Sequence, residues 1–163
     1  MQALGESGSV TYQATAPGYR DRIATVTLAP SGFVLTGPEG PPDEAEILRP
    51  NDPVGPHGVI SRLAETTPAI VRIYSVYLDP KTRRGAAITV QPIRAGVSAT
   101  ITLNNSNPAI GKASTVVTIP GGSDQADAEF RPLSLGSTEL SVNSTEGCAK
   151  PSNATSLQVV VIP

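Results

Sequence analysis

Between residues 97 and 143 apolar and polar residues alternate in four short runs, each closed by residues that favour a turn. The first, 97–104, sends Ala99, Ile101 and Leu103 to one side and Thr100, Thr102 and Asn104 to the other. Runs at 114–119, 126–131 and 137–143 follow. Ala126, Ala128 and Phe130 share a face of the third, Leu140 and Val142 a face of the fourth. Successive strand side chains point to opposite faces, so a period of two predicts half-buried β-strands. Asn-Ser-Asn-Pro, Pro-Gly-Gly-Ser and Ser-Leu-Gly-Ser punctuate them. Strands this short, rich in Val, Ile and Thr and roughly 8–12 residues apart, predict an all-β chain folded as a β-sandwich.

The pattern extends upstream. Residues 8–16 set Val10, Tyr12 and Ala14 against Thr11, Gln13 and Thr15, and Pro17-Gly18 stops the run. Residues 22–29 alternate again, with Ile23, Thr25 and Thr27 opposite Ala24, Val26 and Leu28, so an antiparallel pair is expected. A third run covers 32–36. Residues 67–78 form the longest strand candidate, and their phase changes near Ser75: Val71 and Ile73 share one parity, Tyr74, Val76 and Leu78 the other. Either a β-bulge at Ser75 or burial on both faces accounts for that. Strands at 87–91 and 157–161 complete the set. Residues 37–58 hold six prolines and four glycines. Proline removes ladder donors, so this stretch reads as a linker, with short strands expected at 45–49 and 59–63. Three segments result: a partial unit at 1–37, a linker at 38–66, and a complete unit of seven strands at 67–163.

Bulk composition narrows the function classes. The 163 residues carry a net charge of -2, with 16% charged, which offers nucleic acid no basic patch. With 15 Gly and 16 Pro, nearly a fifth of the chain favours turns, as short-stranded proteins require. A single cysteine, Cys148, rules out an internal disulfide. The first ten residues lack the basic and apolar regions of a signal peptide, and no apolar run reaches the roughly 20 residues of a membrane helix. The reading favoured is a piece of a longer exported chain whose export signal lies elsewhere.

Candidate chemistry is sparse. His57 and Cys148 are the only imidazole and thiol; a nucleophile pair would need both in one pocket with an orienting third group, and they read as two unrelated loop residues. Asp124, Asp127 and Glu129 offer oxygen atoms, but Asp127 and Glu129 fall on the outward face of an alternating strand, which reads as solvated surface and not a Ca²⁺ site. Lys81, Arg83 and Arg84 read as a charged turn tip. Tyr12, Tyr19, Tyr74 and Tyr77 provide no aromatic platform for a sugar, and tryptophan is absent. Asn104, Asn143 and Asn153 each open an N-x-S/T triplet, a glycosylation signal only in a host that modifies secreted chains. No catalytic, cofactor-binding or metal-ligating residue is assigned.

Three elements carry a family resemblance: Asn105-Ser106-Asn107-Pro108-Ala109, then Val117-Thr118-Ile119-Pro120-Gly121-Gly122, then Phe130 to Leu140 in the pattern F-x-P-x-x-x-G-x-x-x-L with Pro132 and Gly136. In this grammar of turns, residues 96–145 resemble the tandem bacterial Ig-like repeats of large secreted and cell-surface proteins. Residues 8–30 resemble the last two strands of such a repeat, the segment aligned with 136–161. The resemblance implies an immunoglobulin-like sandwich, one complete unit preceded by a partial one. It also implies a non-catalytic spacer or adhesive module, with neighbouring repeats, or identical chains head to tail, as partners. Two alternatives stand beside it: a self-assembling filament subunit by strand donation, and a carbohydrate-binding accessory module of a secreted hydrolase.

Overall fold

A computed structural model of the chain describes residues 8–38, 58–65, 67–85, 89–143 and 147–163. These residues are all-β, with no helix among them. Their strands are β1 (Gly8–Ala14), β2 (Arg22–Leu28), β3 (Ser31–Thr36), β4 (Val59–Arg62), β5 (Ala69–Tyr77), β6 (Ala99–Asn105), β7 (Gly111–Ala113), β8 (Val116–Ile119), β9 (Gln125–Pro132), β10 (Gly136–Val142) and β11 (Ser156–Ile162). They form three sheets: a ribbon β1-β2, a five-stranded sheet β4-β11-β10-β6-β8 and a four-stranded sheet β3-β5-β9-β7. All pairings are antiparallel except that of β4 with β11, which runs parallel from Val59↔Val159 to Arg62↔Ile162.

The two larger sheets face each other across one apolar core. The five-stranded sheet contributes Ile101, Leu103, Val117, Ile119, Leu140, Val159 and their neighbours; the other contributes Phe33, Leu35, Val71, Ile73, Ala128 and Phe130. These are the inward parities expected from the alternation at 97–104, 126–131, 137–143 and 157–161. Burying so many Val, Ile, Leu and Phe side chains, each worth about 1.5–3 kcal/mol, is what holds the sheets together.

The phase change at Ser75 resolves as burial on both faces. β3 and β5 keep continuous register through Phe33↔Ser75, so no bulge interrupts that pair. Val71 and Ile73 face the main core, while Tyr74, Val76 and Leu78 join Val34 in a second apolar cluster on the other face. The segment 149–154 covers it. Ala149 N donates to Ser31 O (2.8 Å) and Leu35 N donates to Ala154 O (2.7 Å), so this strap runs along the outer edge of β3. Gly32 is required there, since a Cβ would stand 2.6 Å from Ala149 O.

Pairing crosses the segment boundaries drawn at residues 37 and 67. β3, expected with the partial unit, pairs with β5; β4, expected in the linker, pairs with β11. Residues 45–49 lie outside the described set. Of the strand expected at 87–91, residues 87 and 88 lie outside the described set; Val90 bridges to Val76, and Gln91 N donates to Ser75 O (2.9 Å). The three-residue β7 has no counterpart among the expected strands, since Gly-Lys-Ala carries no alternation.

Among the described residues, β1 and β2 pair only with each other. Their register puts Val10, Tyr12, Ala24 and Val26 on one face, all exposed, and Ile23, 70% exposed, on the other with the threonines. Only Ala29 and Pro30 separate β2 from β3; Pro30 is buried and its carbonyl accepts from Leu78 N (2.7 Å).

Candidate functional site

Described residues line an open cleft of about 640 Å³, walled by Ser31, Phe33, Ser75, the 91–95 segment, Gly122 and Cys148. Five separate stretches of sequence meet there, at the end of the body where β3 begins. Gln91 Nε2 donates to Ser31 Oγ (2.7 Å), Ile93 N to Ser123 O (2.8 Å) and Gly122 N to Ile93 O (2.8 Å), so the wall is tied to the β8–β9 turn. Its chemistry is that of hydroxyl, amide and apolar groups, with the Arg94 side chain in the 91–95 wall and Cys148 also in the lining. Cys148 is half-buried and packs against the main core. His57, the imidazole of that candidate pair, lies outside the described residues.

The acidic residues of β9 are engaged by arginines. Arg72 grips Asp127 through two hydrogen bonds, Nε to Oδ1 at 2.6 Å and a guanidinium NH2 to Oδ2 at 3.2 Å, and Arg131 reaches Glu129 at 3.1 Å. Hydrogen bonds to Asp127 and then Tyr74 raise the Arg72 pKa above its ordinary value, which keeps it charged. Asp124 is half-buried and its carbonyl accepts from Ser75 N (2.8 Å). No cluster of three or more His, Cys, Asp or Glu suited to a metal occurs among the described residues.

The charged turn is a scaffold. Asp79 Oδ1 accepts from Lys81 N (2.9 Å), Thr82 N (2.6 Å) and Thr82 Oγ1 (2.9 Å). Those bonds, the Thr82 amide foremost, hold the Asp79 carboxyl below its ordinary pKa. Lys81, Arg83 and Arg84 are exposed, and Arg83 adopts φ of 59°. The turn docks on the strap: Ser152 N donates to Arg83 O (2.9 Å), and the Asn153 amide spans Gly85, accepting from its N (2.9 Å) and donating to its O (2.8 Å). That pairing ties up Asn153 as a modification site. Asn104 donates to Asn143 (2.9 Å), which sets these two asparagines side by side, one on β6 and one just past the end of β10.

The Asn-Ser-Asn-Pro turn at the opposite end rests on Thr138. Its hydroxyl donates to Asn105 Oδ1 (2.5 Å) and accepts from Asn107 N (3.0 Å); Asn105 Nδ2 in turn donates to Gly111 O (2.7 Å). These residues shape a turn, not a site. No helix among the described residues is long and apolar enough to cross a membrane. No family model matches the chain, and no curated protein matches it either.

Proposed function

We propose that the chain is a non-catalytic, structural or adhesive Ig-like spacer of an exported bacterial protein, its modules set in line by a short rigid joint. The order β3-β5-β9-β7 facing β4-β11-β10-β6-β8 supports an immunoglobulin-like arrangement, with β3 and β4 as a first strand divided between the sheets. The observation that carries the reading is the likeness of the separate ribbon β1-β2 to the body's own β10-β11 hairpin. Gly8↔Leu28, Val10↔Val26 and Tyr12↔Ala24 match Gly136↔Val161, Thr138↔Val159 and Leu140↔Leu157. Both hairpins open on a positive-φ glycine, Gly8 (119°) and Gly136 (135°), and a proline follows each, Pro30 and Pro163.

An amphipathic two-stranded ribbon is marginal in water by itself. The ribbon β1-β2 is therefore the closing hairpin of a neighbouring module, and Ala29-Pro30 is the whole joint between that module and this one. A joint of two residues, one buried and hydrogen-bonded, leaves little freedom for bending. Rods of this kind hold one domain away from another.

A fused chain with residues 31–135 placed directly before Gly8 tests this, because it supplies the sheet that the ribbon needs. Small-angle scattering should give an extended particle about twice the length of one module, with β1-β2 amides newly protected from exchange. An unfolded added segment, or two modules collapsed side by side, would count against the reading. The uncovered face of the ribbon also favours one other reading, head-to-tail donation between identical chains. Sedimentation at rising concentration separates them: the spacer stays monomeric, and concentration-dependent polymers would replace it with the filament subunit.

A further inference from the structure

We propose that the two-sheet body is a tension-bearing unit, in which the strands nearest the chain ends are held in shear along both of their edges. The purpose rests on the spacer reading above; the geometry does not.

The registers place the ends. β3 begins at Ser31 opposite Tyr77, the last residue of β5, and β5 ends where β9 begins, at Tyr74↔Gln125. The β8–β9 turn lies there too, joined through Ile93, and so does the 147–155 connection between β10 and β11. β11 starts at this end and runs to Ile162 at the other, beside Gly136, where β10 begins. The chain therefore comes into the body at one end and leaves it at the opposite end. Both β3 and β11 lie along the line between them.

Each of the two is flanked twice. The peptide groups at Ser31 and Leu35 face the strap, which binds them through Ala149 and Ala154. Alternate groups face the other way, so Gly32, Val34 and Thr36 carry the ladder to β5, and Pro30 O extends it to Leu78 N. β11 sits between β10 on one side and the parallel β4 on the other, with Leu63 N donating to Ile162 O (2.9 Å) beyond the last pair. Ladder hydrogen bonds lie across the strands. A pull along the strands thus loads all of them together, whereas a pull across the strands breaks them one after another. The strap is tied to the 79–85 turn by Ser152 and Asn153, which makes it a second holder of β3 and not a loose loop.

β4 adds a reserve. Once β3 yields, tension reaches β4 at Val59, its first residue, while β11 is drawn from its last. Parallel strands pulled from opposite ends are again in shear. The ribbon β1-β2 behaves oppositely: Gly8 and Leu28 are partners at one end, so it unzips first and at low force.

Single-molecule pulling on the full chain in a Cys148→Ser background tests the proposal. With handles at the two termini, the body should rupture at least twofold higher in force than with handles at the N-terminus and at Lys81→Cys, which opens β3 from β5 pair by pair. Equal forces in the two directions would overturn it. Asn153→Ala, which unties the strap from Gly85, should lower the end-to-end force while the body still folds. An end-to-end force unchanged by it would remove the strap from the mechanism. The scattering of the fused chain is independent of both, so a weak body can be told apart from a failed spacer.

Discussion

Replacing Thr138 by Val separates packing from hydrogen bonding at one buried position. The two side chains have nearly the same shape, and Thr138 is 4% exposed in β10, so the methyl that replaces the hydroxyl finds room. What disappears is the donor to Asn105 Oδ1, the acceptor for Asn107 N and a longer bond with the Ser106 hydroxyl (3.2 Å). Each such bond contributes about 0.5–1.5 kcal/mol net, and a partner stranded without water costs more. The Asn107 amide keeps a longer bond to Asn105 Oδ1 (3.2 Å), which softens its loss. Burying one extra methyl returns roughly 0.8 kcal/mol. The balance is a loss of about 1–2 kcal/mol. In urea, with m of about 2 kcal/mol/M, the midpoint should fall by roughly 0.5–1 M with m unchanged. Amides of the 105–111 turn should exchange faster than those of β10 itself. A stability loss under about 0.3 kcal/mol would refute the idea that Thr138 pins this turn.

Ser61 is the counter-case: 1% exposed in β4, its hydroxyl has no hydrogen-bond partner among the described residues, so Ser61→Ala should be neutral or stabilise by up to about 1 kcal/mol in the same urea assay. Cys148→Ser should cost about 1 kcal/mol by the same measure, because the thiol packs on the core instead of lying in an exposed loop. Asp79 has a folded-state pKa below its ordinary 3.8, so the stability it gives is complete above that value and disappears as pH falls through the lower one. Asp79→Asn should therefore flatten the acid limb of stability against pH; an unchanged limb would mean that its three hydrogen bonds are already open in solution.

Alternation made the strands legible because it is local. Ile101 and Leu103, or Leu157 and Val159, announce their face within four residues, and the structure buries them. Which strands meet is not local. Nothing near Phe33 says that β3 belongs beside β5, since the proline-rich stretch that intervenes mimics a domain boundary. Nothing near Ile60 announces a parallel partner about a hundred residues away. The double-sided burial of β5 was visible as a change of phase at Ser75, but its cover, the strap, is a segment of Ala, Lys, Pro, Ser and Asn with no periodicity. The cleft was illegible for a related reason. Ser31, Gln91, Gly122 and Cys148 come from loops and strand ends, and no motif spacing links them.

In the row of modules proposed above, each sheet edge would meet similar edges at an effective concentration in the millimolar range, where strand exchange between neighbours is a standing hazard of synthesis and refolding. The strap answers that hazard at β3. By occupying Ser31 O and Leu35 N, it leaves this edge little to offer a foreign strand, and it comes from the same module, so it closes as soon as its own hairpin forms. β7, at the other edge of that sheet, is only three residues long and too short to template much. Loosening the strap would thus first be felt as neighbours trading strands, with aggregates appearing during refolding before any fall in the melting point of the isolated chain.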